Sequence, residues 1–377
     1  MCRVIHSPEY GRYDLGPEHP FSPVRGRMLL ELLEALGVEL DPVRPDPLRP
    51  EALLAVHEKA YVDAVEAASR GESLDDPGRW GLGTADNPIV PGMAEGARAI
   101  AGGTVLGARL LVGGETRRVL QLGGGLHHAR PAMASGFCLY NDLALAIHEM
   151  VSAGWHVAYV DIDVHHGDGV QEIFYASDRV LTLSLHETGE YLFPGTGWLH
   201  EMGRGMGRGL TLNLPLEPFT EGDTYREVLV EIADAALSWF RPDAVVVQAG
   251  ADAHFSDPLA DLMLTTRDYE AIYRDLLRIV DRTAHGRVLF TLGGGYSLAA
   301  TPRIWAILAL VLLGLPVPER LPEAWRTRWS ERLGIELPET LHDPGNPYEP
   351  IPRRPEVLRA DREALRRLLD AVAPIWL

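Results

Sequence analysis

The sequence predicts an α/β fold in which a mainly parallel sheet lies between two layers of helices. Short runs of β-branched residues alternate with longer amphipathic stretches along most of the 377-residue chain. Such alternation is typical of a parallel sheet covered by helices on both faces. In addition, one of these apolar runs ends in a cluster of charged side chains, and open α/β sheets keep their functional sites at the carboxyl ends of strands.

The strands follow from the β-branched runs, and the helices follow from apolar residues at helical spacing. Strands are predicted at residues 119–122, 157–163, 180–186, 210–216, 244–250 and 288–292. Helices are predicted at residues 24–36, 51–69, 94–112, 142–153, 224–240 and 268–284, with a final helix at 355–372. Two long loops rich in glycine, residues 71–91 and 188–209, are expected to build a site. No internal repeat is found, so the simplest interpretation is one domain over residues 1–377.

Composition excludes several classes of function. The net charge is -18, from 35 basic and 53 acidic residues, which disfavours nucleic acid as a partner and is compatible with a cationic substrate. The two cysteines, Cys2 and Cys138, form no C-x-x-C pair, so neither a disulfide framework nor a cysteine zinc site is expected. No signal peptide is found, and the most apolar segment, residues 304–315, is too short to cross a membrane. A cytoplasmic location is therefore expected.

The charged cluster at the end of the 157–163 strand predicts a metal site. Five ionisable groups occupy eight positions, namely Asp161, Asp163, His165, His166 and Asp168. Charges on a strand that is buried on both faces cost several kcal/mol each unless they are paired or bind a metal. An ion-pair network is the alternative, but the cluster contains no lysine or arginine. Side chains alternate along a strand, so Asp161, Asp163 and His165 are expected on one face.

Two further segments follow predicted strands and are expected at the same edge of the sheet. Residues 123–129 read Gly-Gly-Gly-Leu-His-His-Ala, and His127 and His128 are candidates for general acid–base chemistry because histidine titrates near neutrality. On its own, such a pair is more often structural. Residues 248–258 contribute Asp252, His254 and Asp257, although an Asx turn would be the ordinary explanation of Asp257 taken alone.

A third segment, residues 291–297, reads Thr-Leu-Gly-Gly-Gly-Tyr-Ser. Its glycines lack the Lys-Ser/Thr that follows them in a phosphate-binding loop, so phosphate binding is disfavoured. The alternative is a glycine turn that presents Tyr296 to the site. A tyrosine hydroxyl is a neutral donor at physiological pH and suits the stabilisation of a developing oxyanion.

Together these motifs resemble the histone deacetylase superfamily, and within it the acetoin-utilisation type of bacterial deacetylase (class I/II-like). The resemblance rests on Gly-Leu-His-His-Ala at 125–129, Gly-Phe-Cys-Leu-Tyr-Asn-Asp at 136–142, Asp-Ile-Asp-Val-His-His-Gly-Asp-Gly at 161–169 and Gly-Gly-Tyr at 294–296. It extends over about residues 7–310. Residues 316–377 form a C-terminal extension on which the resemblance says nothing.

The resemblance implies an arginase/deacetylase-like three-layer fold with a mainly parallel eight-stranded sheet. It also implies metal-dependent hydrolysis of an acetylated amine, with Asp163, His165 and Asp257 as ligands of the catalytic metal. Zn²⁺ is expected, and the same donors would accept Fe²⁺ or Co²⁺. A K⁺ ion is expected nearby, at oxygens of Asp161, Asp163, His165, Ser184 and Leu185.

The resemblance further implies that His127 hydrogen-bonds to Asp161 and that His128 hydrogen-bonds to Asp168. His128 is then the expected proton acceptor, and Tyr296 is the expected oxyanion donor beside the metal. A narrow tunnel for the acetylated side chain, with an aspartate at its rim, is implied at Asp86, Gly136, Phe137, Phe193 and Leu264.

The expected substrate is acetyl-lysine in a protein, for example in a metabolic enzyme. Three alternatives remain open. An acetylpolyamine amidohydrolase would use the same catalytic residues on a small cationic substrate. A ureohydrolase of the same fold would need two metals, and the histidine pair with Tyr296 disfavours it. A non-catalytic acyl-binding protein is disfavoured by the complete set of ligands. The sequence does not indicate the oligomeric state.

Overall fold

The computed structural model describes residues 2–345 and 347–376, and its centre is a sheet of seven parallel strands. The order across the sheet is β1-β2-β7-β6-β3-β4-β5. The strands are β1 (Cys2–Ile5), β2 (Arg118–Gln121), β3 (Val157–Asp161), β4 (Val180–Glu187), β5 (Thr211–Leu216), β6 (Ala244–Gln248) and β7 (Val288–Thr291). The four strands β2, β7, β6 and β3 are neighbours in its middle.

All six strands predicted from the β-branched runs are present, with ends that differ by at most two residues. The predicted strand 157–163 ends at Asp161, so Asp163 and His165 lie in the loop that follows β3. The sequence analysis did not predict β1. This strand has only four residues, Cys-Arg-Val-Ile, and so gives too short a pattern to distinguish it from a loop.

The expectation of eight strands is wrong for the part of the chain that the structure describes. The eighth position, beside β1, holds a single parallel bridge between Val43 and Ile5. The amide of Val43 donates to the carbonyl oxygen of Val4 at 2.8 Å. Pro42 and Pro45 stand on either side of this bridge. Since proline has no amide hydrogen, the pairing cannot extend into a strand.

Helices cover both faces of the sheet, so the predicted three-layer arrangement is confirmed. Ala158 and Val160 of β3 point into the larger core, whereas Val157 and Tyr159 point into the core on the other face. The helices are α1 (Val24–Ala35), α2 (Pro50–Leu53), α3 (Lys59–Ser69), α4 (Met93–Val112), α5 (Asp142–Ser152), α6 (Asp168–Phe174), α7 (Gly222–Phe240), α8 (Thr266–Thr283), α9 (Thr301–Leu313), α10 (Glu323–Leu333) and α11 (Arg354–Trp376). Helices α1, α7, α8, α9 and α11 contribute to the larger core, and α4, α5 and α6 to the core on the other face. Among the described residues, none of these helices has the length and apolar character needed to cross a bilayer.

The predicted helix 51–69 is divided into α2 and α3, which corrects the sequence analysis. His57 lies between them, and its ring is held by the carbonyl oxygen of Arg130 at 3.0 Å and the amide of Asn141 at 3.0 Å. The amide of Glu58 donates to the carbonyl oxygen of Pro131 instead of to the helix. These contacts with a distant loop outweigh the local helical pattern. Local periodicity carries no information about such contacts.

The segment after α9 is tied to the core through a buried carboxylate, Asp343. It accepts a hydrogen bond from Arg303 Nη2 at 2.8 Å and one from the amide of Thr266 at 2.8 Å. His254 Nε2 lies 2.9 Å from the same carboxylate. Although burial opposes it, the contacts with His254 and Arg303 hold the pKa of Asp343 well below its usual range.

We expect Asp343→Asn to lower the free energy of unfolding at pH 7 by about 3–5 kcal/mol, because it leaves the buried Arg303 charge without its partner. Because the pKa of Asp343 is depressed in the folded state, its stabilising contribution is present above the unfolded pKa near 4 and is lost as the pH falls below it. Denaturant unfolding at several pH values measures both effects. The exposed pair of Arg320 with Glu339 provides the control: Glu339→Gln should cost less than about 1 kcal/mol. Equal losses in the two variants would contradict this account.

Candidate active site

The predicted site residues are brought together at the carboxyl edge of the four central strands. The loop after β2 carries the histidine pair, the loop after β3 carries the acidic cluster, and the loops after β6 and β7 carry the remaining segments. Because all the strands are parallel, these four loops leave the sheet on the same side. The fold thus gathers residues that lie up to 169 positions apart, from His127 to Tyr296.

The two predicted histidine–carboxylate hydrogen bonds are both present. Nδ1 of His127 lies 2.7 Å from Oδ2 of Asp161, and Nδ1 of His128 lies 2.7 Å from Oδ1 of Asp168. Since a carboxylate can only accept, the hydrogen of each ring is on Nδ1. The ring centroids of His127 and His128 are 4.0 Å apart. Each Nε2 is therefore turned away from its carboxylate partner and is available for other contacts.

The two rings differ in their affinity for a second proton. Burial lowers the pKa of His128 to about 4, and the positive charge of His127 contributes. Burial also opposes protonation of His127, but Asp161 and Asp163 outweigh it and raise the pKa to about 9. His128 is consequently the neutral member of the pair. A cation held at Asp163 would lower the pKa of His127 as well, because like charges repel.

Three buried groups have ligand atoms within 4.8 Å of one another: Asp163, His165 and Asp252. Nδ1 of His165 lies 3.0 Å from Oδ1 of Asp163 and 3.3 Å from Oδ2 of Asp252. Burial opposes protonation of His165, yet the two carboxylates raise its pKa to about 10. Oδ2 of Asp252 accepts no hydrogen bond among the described residues. A concentration of negative charge around an orphaned carboxylate oxygen suits a cation, so these residues fit the expected metal.

Asp257, which the resemblance implies as the third ligand, is not a member of that group of three. Its Oδ2 accepts from the amide of Tyr296 at 2.7 Å, and its Oδ1 accepts from the amide of Leu259 at 3.1 Å. Burial raises its pKa to about 6. Asp257 is 6% exposed and His165 is 7% exposed, whereas Asp252 is completely buried. The assignment of Asp257 stays a prediction, and Asp252 is a residue to which the sequence analysis gave no role.

A cavity of about 340 Å³ leads to this site from the surface. Four of the five predicted tunnel residues line it, and Leu264 is the exception. Leu264 is buried in the larger core because it pairs with His254 in a parallel bridge. Leu259, five residues earlier, is at the cavity instead. The lining residues are Asp86, His128, Gly136, Phe137, His165, Leu192, Phe193, Leu259 and Tyr296.

Gly136 lines this cavity at a position where a side chain would not fit. Its φ of +48° is a left-handed conformation that favours glycine. A Cβ atom at this position would lie 2.4 Å from Cδ2 of His128 and 2.9 Å from Cε1 of Phe193. The requirement for glycine therefore comes both from the backbone conformation and from the side chains of His128 and Phe193 that pack against this residue.

Two residues that support the site escaped the sequence analysis. Asp142 accepts from the amides of Gly125 and Leu126 at 3.1 and 2.8 Å and so fixes the turn before the histidines. It belongs to the 136–142 motif, where it looked like an ordinary first residue of a helix. Arg25 donates to the carbonyl oxygens of Gly293 and Gly295 at 3.3 and 2.8 Å, which holds the turn before Tyr296. A single arginine in an amphipathic helix gives no sequence signal for such a role.

The expected potassium ligands are close in the sheet. Ser184 pairs in register with Asp161 across β4 and β3, and Leu185 follows it. Oγ of Ser184 lies 2.9 Å from Nδ1 of His186. The K⁺ site remains a prediction.

Comparison with known proteins identifies the family. A model of the histone deacetylase domain matches residues 19–312, well over half of the chain. The chain belongs to the histone deacetylase family. It is 39% identical to the acetoin utilization protein AcuC of Bacillus subtilis (strain 168), over 98% of this chain and 96% of that protein. It is 34% identical to AcuC of Staphylococcus xylosus, over 97% of both proteins.

Solved structures of histone deacetylase homologues share the fold. A crystal structure of an HDAC homolog from Aquifex aeolicus has a TM-score of 0.85 at 28% identity, over 96% of this chain and 99% of that one. A complex of an HDAC homolog with SAHA matches equally well. The histone deacetylase model ends at residue 312, whereas the match to the B. subtilis protein covers 98% of this chain. Much of the segment after α9 is therefore shared with the acetoin-utilisation type of this family.

Proposed function

We propose that this histone deacetylase-family protein is a metal-dependent deacetylase that removes the acetyl group from acetyl-lysine in proteins. The observation that carries the proposal is the 340 Å³ cavity, which is lined by Phe137 and Phe193 together with His128 and Tyr296. An acetyl-lysine side chain is a long apolar stem with a polar end. Aromatic walls suit the stem, and the polar groups at the inner end suit the amide.

Asp163 and His165, with Asp257 as third ligand, would hold the metal, and we propose Zn²⁺ with Fe²⁺ or Co²⁺ as substitutes. When bound, such an ion polarises a carbonyl group and lowers the pKa of water. We also propose K⁺ near Ser184 and Leu185, because carbonyl and hydroxyl oxygens suit a hard cation. A cytoplasmic location is part of the proposal.

The remaining steps belong to this chain's own side chains. His128 is neutral, and its Nδ1 hydrogen is held by Asp168, so its Nε2 can accept the proton of the attacking water. A histidine of the pair then returns a proton to the amine that leaves. Tyr296 donates its hydroxyl hydrogen to the oxyanion that forms at the acetyl carbon. Burial raises the pKa of Tyr296 well above its usual value, so this hydroxyl stays protonated at physiological pH.

The proposal is tested by turnover of three substrates in parallel: acetyl-lysine peptides, free acetyl-lysine and acetylpolyamines. Metal content is measured on the same sample, after loading with Zn²⁺, Fe²⁺ or Co²⁺. We expect the highest kcat/KM for acetyl-lysine peptides and one transition metal per chain. A preference for acetylpolyamines would favour the rival amidohydrolase. No turnover at any metal loading would refute the deacetylase proposal, and two metals per chain would favour a ureohydrolase.

A further inference from the structure

We propose that a second cavity beside the tunnel mouth binds a basic side chain that flanks acetyl-lysine in the substrate. This inference rests on the proposed deacetylase function and specifies the sequence that the enzyme prefers. The second cavity has a volume of about 580 Å³ and is separate from the tunnel. The lining residues that matter here are Tyr191, Glu217, Phe219, Asp261, Arg353 and Glu356.

Two loops connect the lining of the second cavity with the lining of the tunnel. Tyr191 directly precedes Leu192 and Phe193, which line the tunnel, and Asp261 follows the tunnel residue Leu259 by two positions. Two residues of chain span at most about 7 Å. A peptide whose acetyl-lysine occupies the tunnel can therefore place a neighbouring side chain in the second cavity.

Large apolar side chains are exposed along this boundary. Tyr191 is 66% exposed, Phe219 47%, Phe193 43% and Leu259 36%. A group of exposed apolar residues on a soluble protein commonly marks a binding surface. The exposed position of the Phe219 ring requires a strained backbone, because its φ of +70° is unfavourable for a residue other than glycine. Its amide is held by the carbonyl oxygen of Asp261 at 2.8 Å, which fixes that conformation.

The charge of the second cavity determines which side chain it suits. Glu217, Asp261 and Glu356 supply three carboxylates against one guanidinium, that of Arg353. Within the described residues, none of these three carboxylates forms a hydrogen bond or an ion pair. Free carboxylates beside exposed aromatic rings favour arginine or lysine, whose cationic group can contact both. The tunnel itself has mostly apolar or glycine walls, so sequence preference has to come from contacts outside it.

The wild-type holoenzyme provides the first test, which needs no substitution. Acetyl-lysine peptides are compared in which each of the four flanking positions on either side is Arg, Ala or Glu. At one or more positions we expect kcat/KM in the order Arg, then Ala, then Glu, with about two- to five-fold per step, the range of exposed ion pairs. The difference should shrink as NaCl rises from 0.05 to about 0.5 M, because salt screens exposed charges. No preference for Arg at any position would overturn the proposal.

The double variant Glu217→Gln/Asp261→Asn tests whether the second cavity causes the preference for Arg. We expect it to reduce the Arg-to-Ala ratio of kcat/KM to about one at the preferred position. The matched control is Glu331→Gln/Glu336→Gln, which removes the same charge from exposed carboxylates that line neither cavity and form no ion pair within residues 2–345 and 347–376. It should keep the wild-type ratio. Equal ratios in both double variants would refute the location. Loss of turnover of every acetyl-lysine peptide by the wild type would instead count against the deacetylase function itself.

Discussion

Tyr296→Phe is expected to lower kcat by about 10²–10³ while changing substrate binding little. The substitution removes only the hydroxyl group that donates to the oxyanion. The ring would keep its edge contact with Phe137, whose centroid is 5.8 Å away. The backbone would keep the hydrogen bond from the amide of residue 296 to Asp257 at 2.7 Å. The active-site architecture therefore remains, and the loss falls on the transition state.

Steady-state kinetics on an acetyl-lysine peptide measure this effect, with zinc content determined on the same preparation. Tyr175→Phe is the control, since it removes a hydroxyl group that forms no hydrogen bond with any described residue and that lies outside the cavity. It should retain full activity. If Tyr296→Phe also retained full activity, Tyr296 would not be the oxyanion donor, and the catalytic assignment would fail.

The part of the site that could be predicted from the sequence is the part whose residues lie next to strand ends. The carboxyl ends of parallel strands lie at one edge of the sheet, so the proximity of His127, Asp161 and Tyr296 could be predicted from the sequence. Charged residues after an apolar run also give a strong signal, because such burial needs a physical reason. The β-branched runs predicted six strands. Because side chains alternate along a strand, they also predicted that each strand faces a core on both sides of the sheet.

The part that could not be predicted depends on contacts between distant segments. The break between α2 and α3 arises from His57 bonding to the 130–141 loop, which no local pattern encodes. Likewise, Arg25 acts on a turn about 270 positions away. Leu264 was assigned to the tunnel by resemblance, but its bridge to His254 buries it in the core. Pro42 and Pro45 are a local signal, since they limit the eighth position of the described sheet to a single bridge at Val43.

The resemblance and the geometry indicate different third metal ligands, Asp257 and Asp252. Two isosteric variants distinguish between these assignments. Asp252 is close to His165, but it is completely buried, and its Oδ1 accepts from the amide of Val164 at 2.9 Å. Asp257 and His165 are also buried, but each keeps a small exposed fraction, 6% and 7%. A catalytic metal must be reached by the substrate, so a carboxylate bonded to the tunnel residue Tyr296, as Asp257 is, suits it better than one bonded to the core residue Val164. We accordingly expect Asp257 to be the ligand and Asp252 to orient His165 from behind.

On this reasoning, Asp257→Asn should weaken Zn²⁺ binding by more than about 100-fold, whereas Asp252→Asn should weaken it by about 10–100-fold, the range of carboxylates that orient a ligand. Competition with a chromophoric chelator measures both affinities without any assay of activity. Thermal unfolding with and without Zn²⁺ gives a second readout, because an ion that binds only the folded state stabilises it. Asp178→Asn, at an exposed position, should bind Zn²⁺ as the wild type does. The opposite order of the two affinities would make Asp163, His165 and Asp252 the ligand set. In that case the metal would lie behind the tunnel end, and Asp257 would act on Tyr296 through the backbone hydrogen bond alone.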